Sequence, residues 1–164
     1  MKYCPACAAP LILKPCADEG DVPFCENCQK FYFDLFPVCV LAVLFSADKK
    51  RVCLLQQNHV HRNYRVLIAG YVKKGETMEQ TVVREILEET GICAVDAKYV
   101  ASFFHEKSGA LMAGFTAIAV DETFHLSSLE VDGAKWVRAS EAHACLRPGS
   151  IGQKLLEKAL KLKE

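Results

Sequence analysis

The chain has 164 residues, 51% hydrophobic and 24% charged, which suits one domain of ordinary size plus a small module and excludes two full-sized domains. Twenty Lys and Arg balance twenty Asp and Glu, so there is no bulk attraction to nucleic acid or anionic membrane, and a polyanionic ligand must be met by local charge. No apolar run approaches the roughly 20 residues of a spanning helix, and MKYCPAC lacks the apolar core of a secretory signal, so a soluble cytoplasmic protein with no membrane partner is expected.

Residues 1–35 hold five of the nine cysteines and show little regular periodicity. CPAC (Cys4, Cys7) and CENC (Cys25, Cys28) are separated by 17 residues, inside the C-x2-C-x15–20-C-x2-C spacing of a four-thiolate zinc site. Each C-x2-C turn aims two sulfurs at one tetrahedral ion, and a closed thiolate site is structural rather than catalytic. Such a Zn2+ would supply the stability that so short a segment cannot obtain from a core. The competing reading is a redox or vestigial pair of pairs. Cys16 is a fifth thiol in the intervening loop, and Cys39, Cys53 and Cys93 sit in apolar runs as expected core residues.

From residue 36 to residue 164 the pattern is that of an α/β domain. VCVLAVLF (38–45) and RVCLLQQ (51–57) flank SADKK and predict a hairpin, and RVLIAGY (65–71) predicts a third strand. Thr77 with Gln80 forms a capping-box start and Gly91 a natural stop, which predicts a helix from Met78 to Thr90. Its expected buried face is Met78, Val82, Val83, Ile86 and Leu87. AKYVASFFH and ALMAGFTAIAV follow as two strands joined near Ser108 and Gly109, then AKWV (134–137) as a short strand. A helix is expected near Ser140, and IGQKLLEKALKL reads as an amphipathic C-terminal helix.

The helix at 78–90 gathers Glu85, Glu88 and Glu89 in one arc of about 100°. Like charges three and four residues apart repel, and carboxylates in the last turn oppose the negative end of the helix dipole. A solvated acidic face is one explanation. The other is a hard divalent cation, Mg2+ or Mn2+, since the glycine-bearing turn GYVKKGE before the helix can bring backbone carbonyls to the same spot.

These residues fit the Nudix box, G-x5-E-x7-R-E-U-x-E-E-x-G-U with U apolar, at Gly70, Glu76, Arg84, Glu85, Ile86, Glu88, Glu89, Gly91 and Ile92. The segment from about residue 37 onward therefore resembles the Nudix hydrolases. The resemblance implies an α/β/α sandwich with a mixed sheet, and hydrolysis of a nucleoside diphosphate linked to another moiety. It makes Glu85 and Glu89 metal ligands, Glu88 a ligand or base, and the carbonyl of Ala69 or Gly70 a further ligand, with Glu76 and Arg84 pairing the loop to the helix.

A narrower resemblance spans nearly the whole chain. A four-cysteine ribbon before the box, Tyr32, HRN at 61–63, IAGYVKKGETMEQ at 68–80 and RPGSIGQKLL at 147–156 resemble the NADH pyrophosphatase branch. By this resemblance Glu130, six residues before Trp136, is an additional metal-binding residue, the Gly152 backbone lies near substrate, and Tyr32 and Tyr71 stack on a base or nicotinamide ring. It also implies a homodimer, and the branch includes enzymes acting on NAD-capped RNA ends. Where the branch carries Ser-Gln-Pro-Trp-Pro-Phe-Pro-x-Ser, this chain has SFFHEKSGA, placing Phe103, Phe104 and His105 at the substrate. The expected substrates are thus NAD(H)-type dinucleotides giving AMP and nicotinamide mononucleotide, or else ADP-ribose, an ADP-sugar, FAD or coenzyme A. A non-catalytic nucleotide sensor or RNA-binding protein is the reading from a different class.

Overall fold

A computed structural model describes residues 1–127 and 129–162 and divides the chain into two compact units, Met1–Phe36 and Pro37–Glu164. The last two residues of the domain expected at 36–164 lie outside the described residues.

In the first unit, β1 (Ile12–Pro15), β2 (Asp21–Cys25) and β3 (Lys30–Phe31) form an antiparallel sheet in that order. All four residues of β1 are exposed, and the buried apolar set of the unit is only Cys4, Val22, Phe24 and Cys25. The Phe24 and Phe31 rings meet at 4.8 Å, and the Lys14 ammonium sits 4.2 Å from the Phe24 ring. A core this small is insufficient for a segment of this length without a staple.

The second unit is built around β4 (Val38–Phe45), whose run contains no polar residue, so both of its faces have to be covered. Its side chains alternate between two cores: Val40, Ala42 and Leu44 on one face, Leu41, Val43 and Phe45 on the other. β5 (Arg51–Gln56) alternates likewise, with Cys53 and Leu55 in the first core and Val52 and Leu54 in the second. The sheet runs β7 (Ala94–His105), β8 (Ala110–Ala119), β4, β5, β9 (Gly133–Arg138), with β6 (Ile68–Tyr71) paired to the first half of β4. It is mixed, because β8 runs parallel to β4 from Val38↔Leu111 to Phe45↔Ile118 while the other pairings are antiparallel.

Helix α1 (Met78–Thr90) covers the first core through Val82 and Ile86; α2 (Ala139–Cys145) and α3 (Ile151–Lys161) cover the second through Ala142, Leu155 and Leu156. This is the α/β/α sandwich that the sequence predicts. Among the described residues no helix is long and apolar enough to cross a membrane.

Two expectations need correction. Val83 and Leu87 are not on the buried face of α1, being 37% and 48% exposed, and the buried positions are instead Thr81, Val82, Ile86, Glu89 and Thr90. Five apolar residues made the stripe too broad to fix its phase, and the helix settles with its last-turn glutamate turned inward. Cys93 is exposed rather than in the core, because the extended chain around it buries its neighbours Ile92 and Ala94.

The ends of α1 match the sequence reading. Thr77 Oγ1 accepts from the Gln80 N–H, the Gln80 side chain accepts from the Thr77 N–H, and Gly91 closes the helix at φ 73°. Thr77→Ala removes one half of this box and is expected to lower unfolding free energy by about 1 kcal/mol. Urea denaturation followed by circular dichroism measures it, and an unchanged midpoint would show that the cap contributes nothing.

Candidate functional site

The four cysteine sulfurs of CPAC and CENC all lie within 4.8 Å of one another, and none is in a disulfide. Cys4 Sγ is 3.8 Å from Cys28 Sγ and Cys7 Sγ is 3.5 Å from Cys25 Sγ. Tetrahedral zinc with Zn–S near 2.3 Å sets its sulfurs roughly 3.8 Å apart, so Cys4, Cys7, Cys25 and Cys28 fit one such ion. Cys16 lies outside this group.

Tyr32, expected at the substrate, has its hydroxyl 3.0 Å from Cys4 Sγ. Burial opposes ionisation of Cys4, but the Tyr32 hydroxyl and the Cys7 and Ala6 backbone outweigh it and hold the thiol down to about 6. The bond to Cys4 pushes Tyr32 up to about 12. One bound zinc per chain is expected by elemental analysis, with Cys25→Ser losing it. A zinc-free protein whose first unit resists proteolysis as well as before would defeat the structural role.

In the second unit, the turn between β6 and α1 is fastened by one ion pair. Arg84 Nε donates to Glu76 Oε1 at 2.8 Å and Nη2 to Glu76 Oε2 at 2.9 Å, a bidentate pairing. The remaining N–H groups reach Glu85 Oε1 at 2.6 Å, Glu88 Oε2 at 2.9 Å and the Tyr71 carbonyl at 3.1 Å. Lys73 Nζ lies 3.6 Å from the other oxygen of Glu88.

Glu85 packs against β6 at Gly70, where a Cβ would overlap its carboxyl group. Only glycine permits that approach. Burial pushes the Glu85 carboxyl up in pKa, with Arg84 pulling the other way.

Glu89 is 5% exposed. Its Oε1 accepts from Gln57 Nε2 at 2.8 Å and its Oε2 from the Ala69 N–H at 3.3 Å. Burial pushes it up to about 7 against the Ala69 bond, and the charges of Glu85 and Glu130 push the same way. Glu130, in the exposed loop before β9, is therefore electrostatically close to Glu89. Among the described residues the four cysteines are the group gathered closely enough for one metal ion, and these carboxylates are not brought together in that way. They lie on α1 and in the loop before β9, an oxygen-donor set of the kind that suits a hard divalent cation.

Beside Glu89 opens a cavity of about 510 Å3, whose wall includes Gln57, Ala69, His105 and Gly152. His105 Nδ1 is 2.7 Å from Ser108 Oγ at the β7–β8 turn, and Gly152 is in the first turn of α3. Phe103 packs into the core beneath α3, Phe104 is 52% exposed and Tyr71 is 60% exposed. Neither Phe103, Phe104 nor Tyr71 lines the cavity. Gln57 was not singled out in the sequence: one glutamine at a strand end carries no pattern, and only the fold aims it at Glu89.

A strand–turn–helix unit carrying Glu76, Arg84, Glu85, Glu88 and Glu89 on a mixed sheet between helices defines a Nudix domain, preceded in sequence by a ribbon compatible with zinc. The model of the NUDIX domain family matches residues 35–156, and the chain belongs to that family. Among curated proteins it is similar to the NAD-capped RNA hydrolase NudC of Klebsiella pneumoniae subsp. pneumoniae, 30% identical over 158 residues that cover 95% of this chain and 59% of that protein. The NudC of Citrobacter koseri is 31% identical over 157 residues, with the same coverage of 95% and 59%. The chain thus spans 59% of the length of these relatives. Among solved structures, a NUDIX hydrolase from Nitrosomonas europaea superposes with a TM-score of 0.74 at 20% identity, covering 98% of this chain and 91% of that one. The NUDIX domain of Shewanella oneidensis NrtR, complexed with ADP ribose, gives 0.68 at 20% identity, covering 86% and 94%. At that identity these two likenesses establish the fold alone.

Arg84 holds the Glu76 carboxyl down to about 2, below its ordinary 4.5. A carboxyl depressed in the folded state adds stability that is fully present above about pH 4.5 and lost as pH falls toward 2. Glu76→Gln is therefore expected to be less stable than the parent at pH 6, with the gap closing between pH 4.5 and 2. A gap independent of pH in urea titrations would contradict the pairing.

Proposed function

We propose that this chain is a divalent-metal-dependent diphosphatase acting on a nucleoside diphosphate linked to a second moiety, with NAD(H)-type dinucleotides as substrates and AMP and nicotinamide mononucleotide as products. The observation that carries this reading is the surroundings of Glu85 and Glu89: one against a glycine that leaves it room, the other buried and held by Gln57 and Ala69, which line the cavity.

In this reading Glu85 and Glu89, with Glu130 and the carbonyl of Ala69 or Gly70, would hold Mg2+ or Mn2+. A divalent ion held there would supply charge neutralisation for the diphosphate and a more nucleophilic water. Glu88, half exposed with Arg84 at 2.9 Å and Lys73 at 3.6 Å from its carboxylate, is the residue that this reading assigns to accept the proton of the attacking water. The water oxygen bonds to one phosphorus, the bond from that phosphorus to the bridging oxygen breaks, and the bridging oxygen leaves on the other phosphate. Each product then carries one phosphate. Zn2+ held by Cys4, Cys7, Cys25 and Cys28 would be structural. Capped RNA ends as substrates belong to the same proposal, supported by the likeness to NAD-capped RNA hydrolases, and so does assembly as a homodimer, which rests only on the sequence resemblance to the NADH pyrophosphatase branch.

The test is incubation with Mg2+ and a panel of NADH, ADP-ribose, FAD, coenzyme A and nucleoside triphosphates, with products resolved by chromatography. AMP and reduced nicotinamide mononucleotide from NADH are expected. Glu85→Gln and Glu89→Gln are each expected to lower kcat by ~100-fold or more, with far-UV circular dichroism unchanged. Binding of nucleotide without consumption would replace the enzyme with a sensor, and normal rates in both variants would mean that the metal face has been misplaced.

A further inference from the structure

The cavity beside Glu89 carries charge of the opposite sign to the helix that it adjoins. Arg65 at the entry to β6, Lys107 in the β7–β8 turn and Arg147 in the loop before α3 all line its wall, and no Asp or Glu does so among the described residues. None of these three cations is paired with a carboxylate among the described residues; the ion pairs there engage Arg51, Lys73, Arg84, Lys98, Arg138 and His143 instead. His61 and Tyr64, ring centroids 4.9 Å apart, add a polar aromatic edge. The three cations come from segments roughly 40 residues apart, so no stretch of sequence displays them as a cluster. In a chain of zero net charge this is a local separation, and a concave wall focuses the resulting positive potential.

The ligand implied by the hydrolase reading places its diphosphate at the glutamate face. Its adenine and reduced nicotinamide ends are uncharged, and an oxidised nicotinamide ring is positive and is repelled by such a wall. What three cations match is a further anionic group. A phosphomonoester carries about −1.5 to −2 near pH 7 and offers three acceptor oxygens, and guanidinium groups bond phosphate with two parallel N–H donors. A phosphodiester chain is tracked along an extended basic surface, and this sequence has no basic tract to provide one.

We propose that the cavity lined by Arg65, Lys107 and Arg147 receives a ribose 2′- or 3′-phosphomonoester, so that the preferred substrates are adenine nucleotide diphosphates bearing that extra phosphate. The inference rests on the diphosphatase reading and narrows its substrate class.

The test is kcat/KM with Mg2+ for two pairs that each differ by one phosphomonoester: NADPH against NADH, and coenzyme A against 3′-dephospho-coenzyme A. The phosphorylated member is expected to be favoured ~10-fold or more in at least one pair, which also distinguishes a 2′ from a 3′ phosphate. That ratio is expected to fall toward one in Arg65→Gln and Arg147→Gln, and to shrink with added salt. NADH cleaved as well as NADPH, with the coenzyme A pair equally indifferent, overturns the inference and leaves the hydrolase standing. An NAD-capped oligonucleotide preferred over both phosphorylated substrates overturns it in favour of a phosphodiester. If no compound is cleaved, the hydrolase reading fails, and calorimetry decides the cavity by itself. Adenosine 2′,5′- or 3′,5′-bisphosphate binding ~10-fold tighter than AMP, with the advantage lost in Arg147→Gln, supports the phosphate site, and equal affinities refute it.

Discussion

One guanidinium group holds the working face of the second unit together. Arg84 has five N–H donors and spends all of them within this region: two on Glu76, one each on Glu85, Glu88 and the Tyr71 carbonyl. The turn after β6, the strand itself and the side of α1 are thereby fixed to a single planar fork. Lysine could not replace it, since an ammonium has three donors and no plane with which to grip a carboxylate from two sides. The same contacts set the rotamers of Glu85 and Glu88, so the geometry of the carboxylates depends on a residue that need not touch substrate at all.

The inward turn of Glu89 is the complementary constraint. A carboxylate buried in the last turn of a helix loses water and faces the unfavourable end of the dipole. Gln57 and the Ala69 N–H recover part of this by donating to both oxygens. Hydrophobic packing would have preferred Leu87 on that side, and Leu87 is outside. Local rules are broken where a site is built, and the surrounding sandwich supplies the stability that tolerates it.

Much of this was legible in sequence because the signals are local. The capping box at Thr77, the stop at Gly91 and the strand runs depend on neighbours within four residues, and each lies where the sequence places it. The cysteine pairs announce their cluster by spacing. The ribbon strands were not legible: β1 is exposed at every position and β1 and β2 both contain proline, so neither alternation nor propensity marks them. The phase of α1 was missed because Val83 and Leu87 look like core and are not. Gln57 and the cationic wall of the cavity escaped for a third reason, since residues from distant segments acquire a common purpose only once the sheet has brought them together.

The parallel pairing of β4 with β8 bears on how the domain is made. Val38 and Leu111 are partners across more than seventy residues of intervening chain, and that chain contains β5, β6, α1 and β7. The central contact of the sheet therefore cannot close until every glutamate of α1 has emerged, and its loop-closure entropy is met before any reward from the contact arrives. Until then the fully apolar β4 has an open edge toward β8. A nascent chain is thus exposed to misassociation over the stretch that encodes the glutamate-bearing helix α1, and that edge of β4 is covered once β8 has been made.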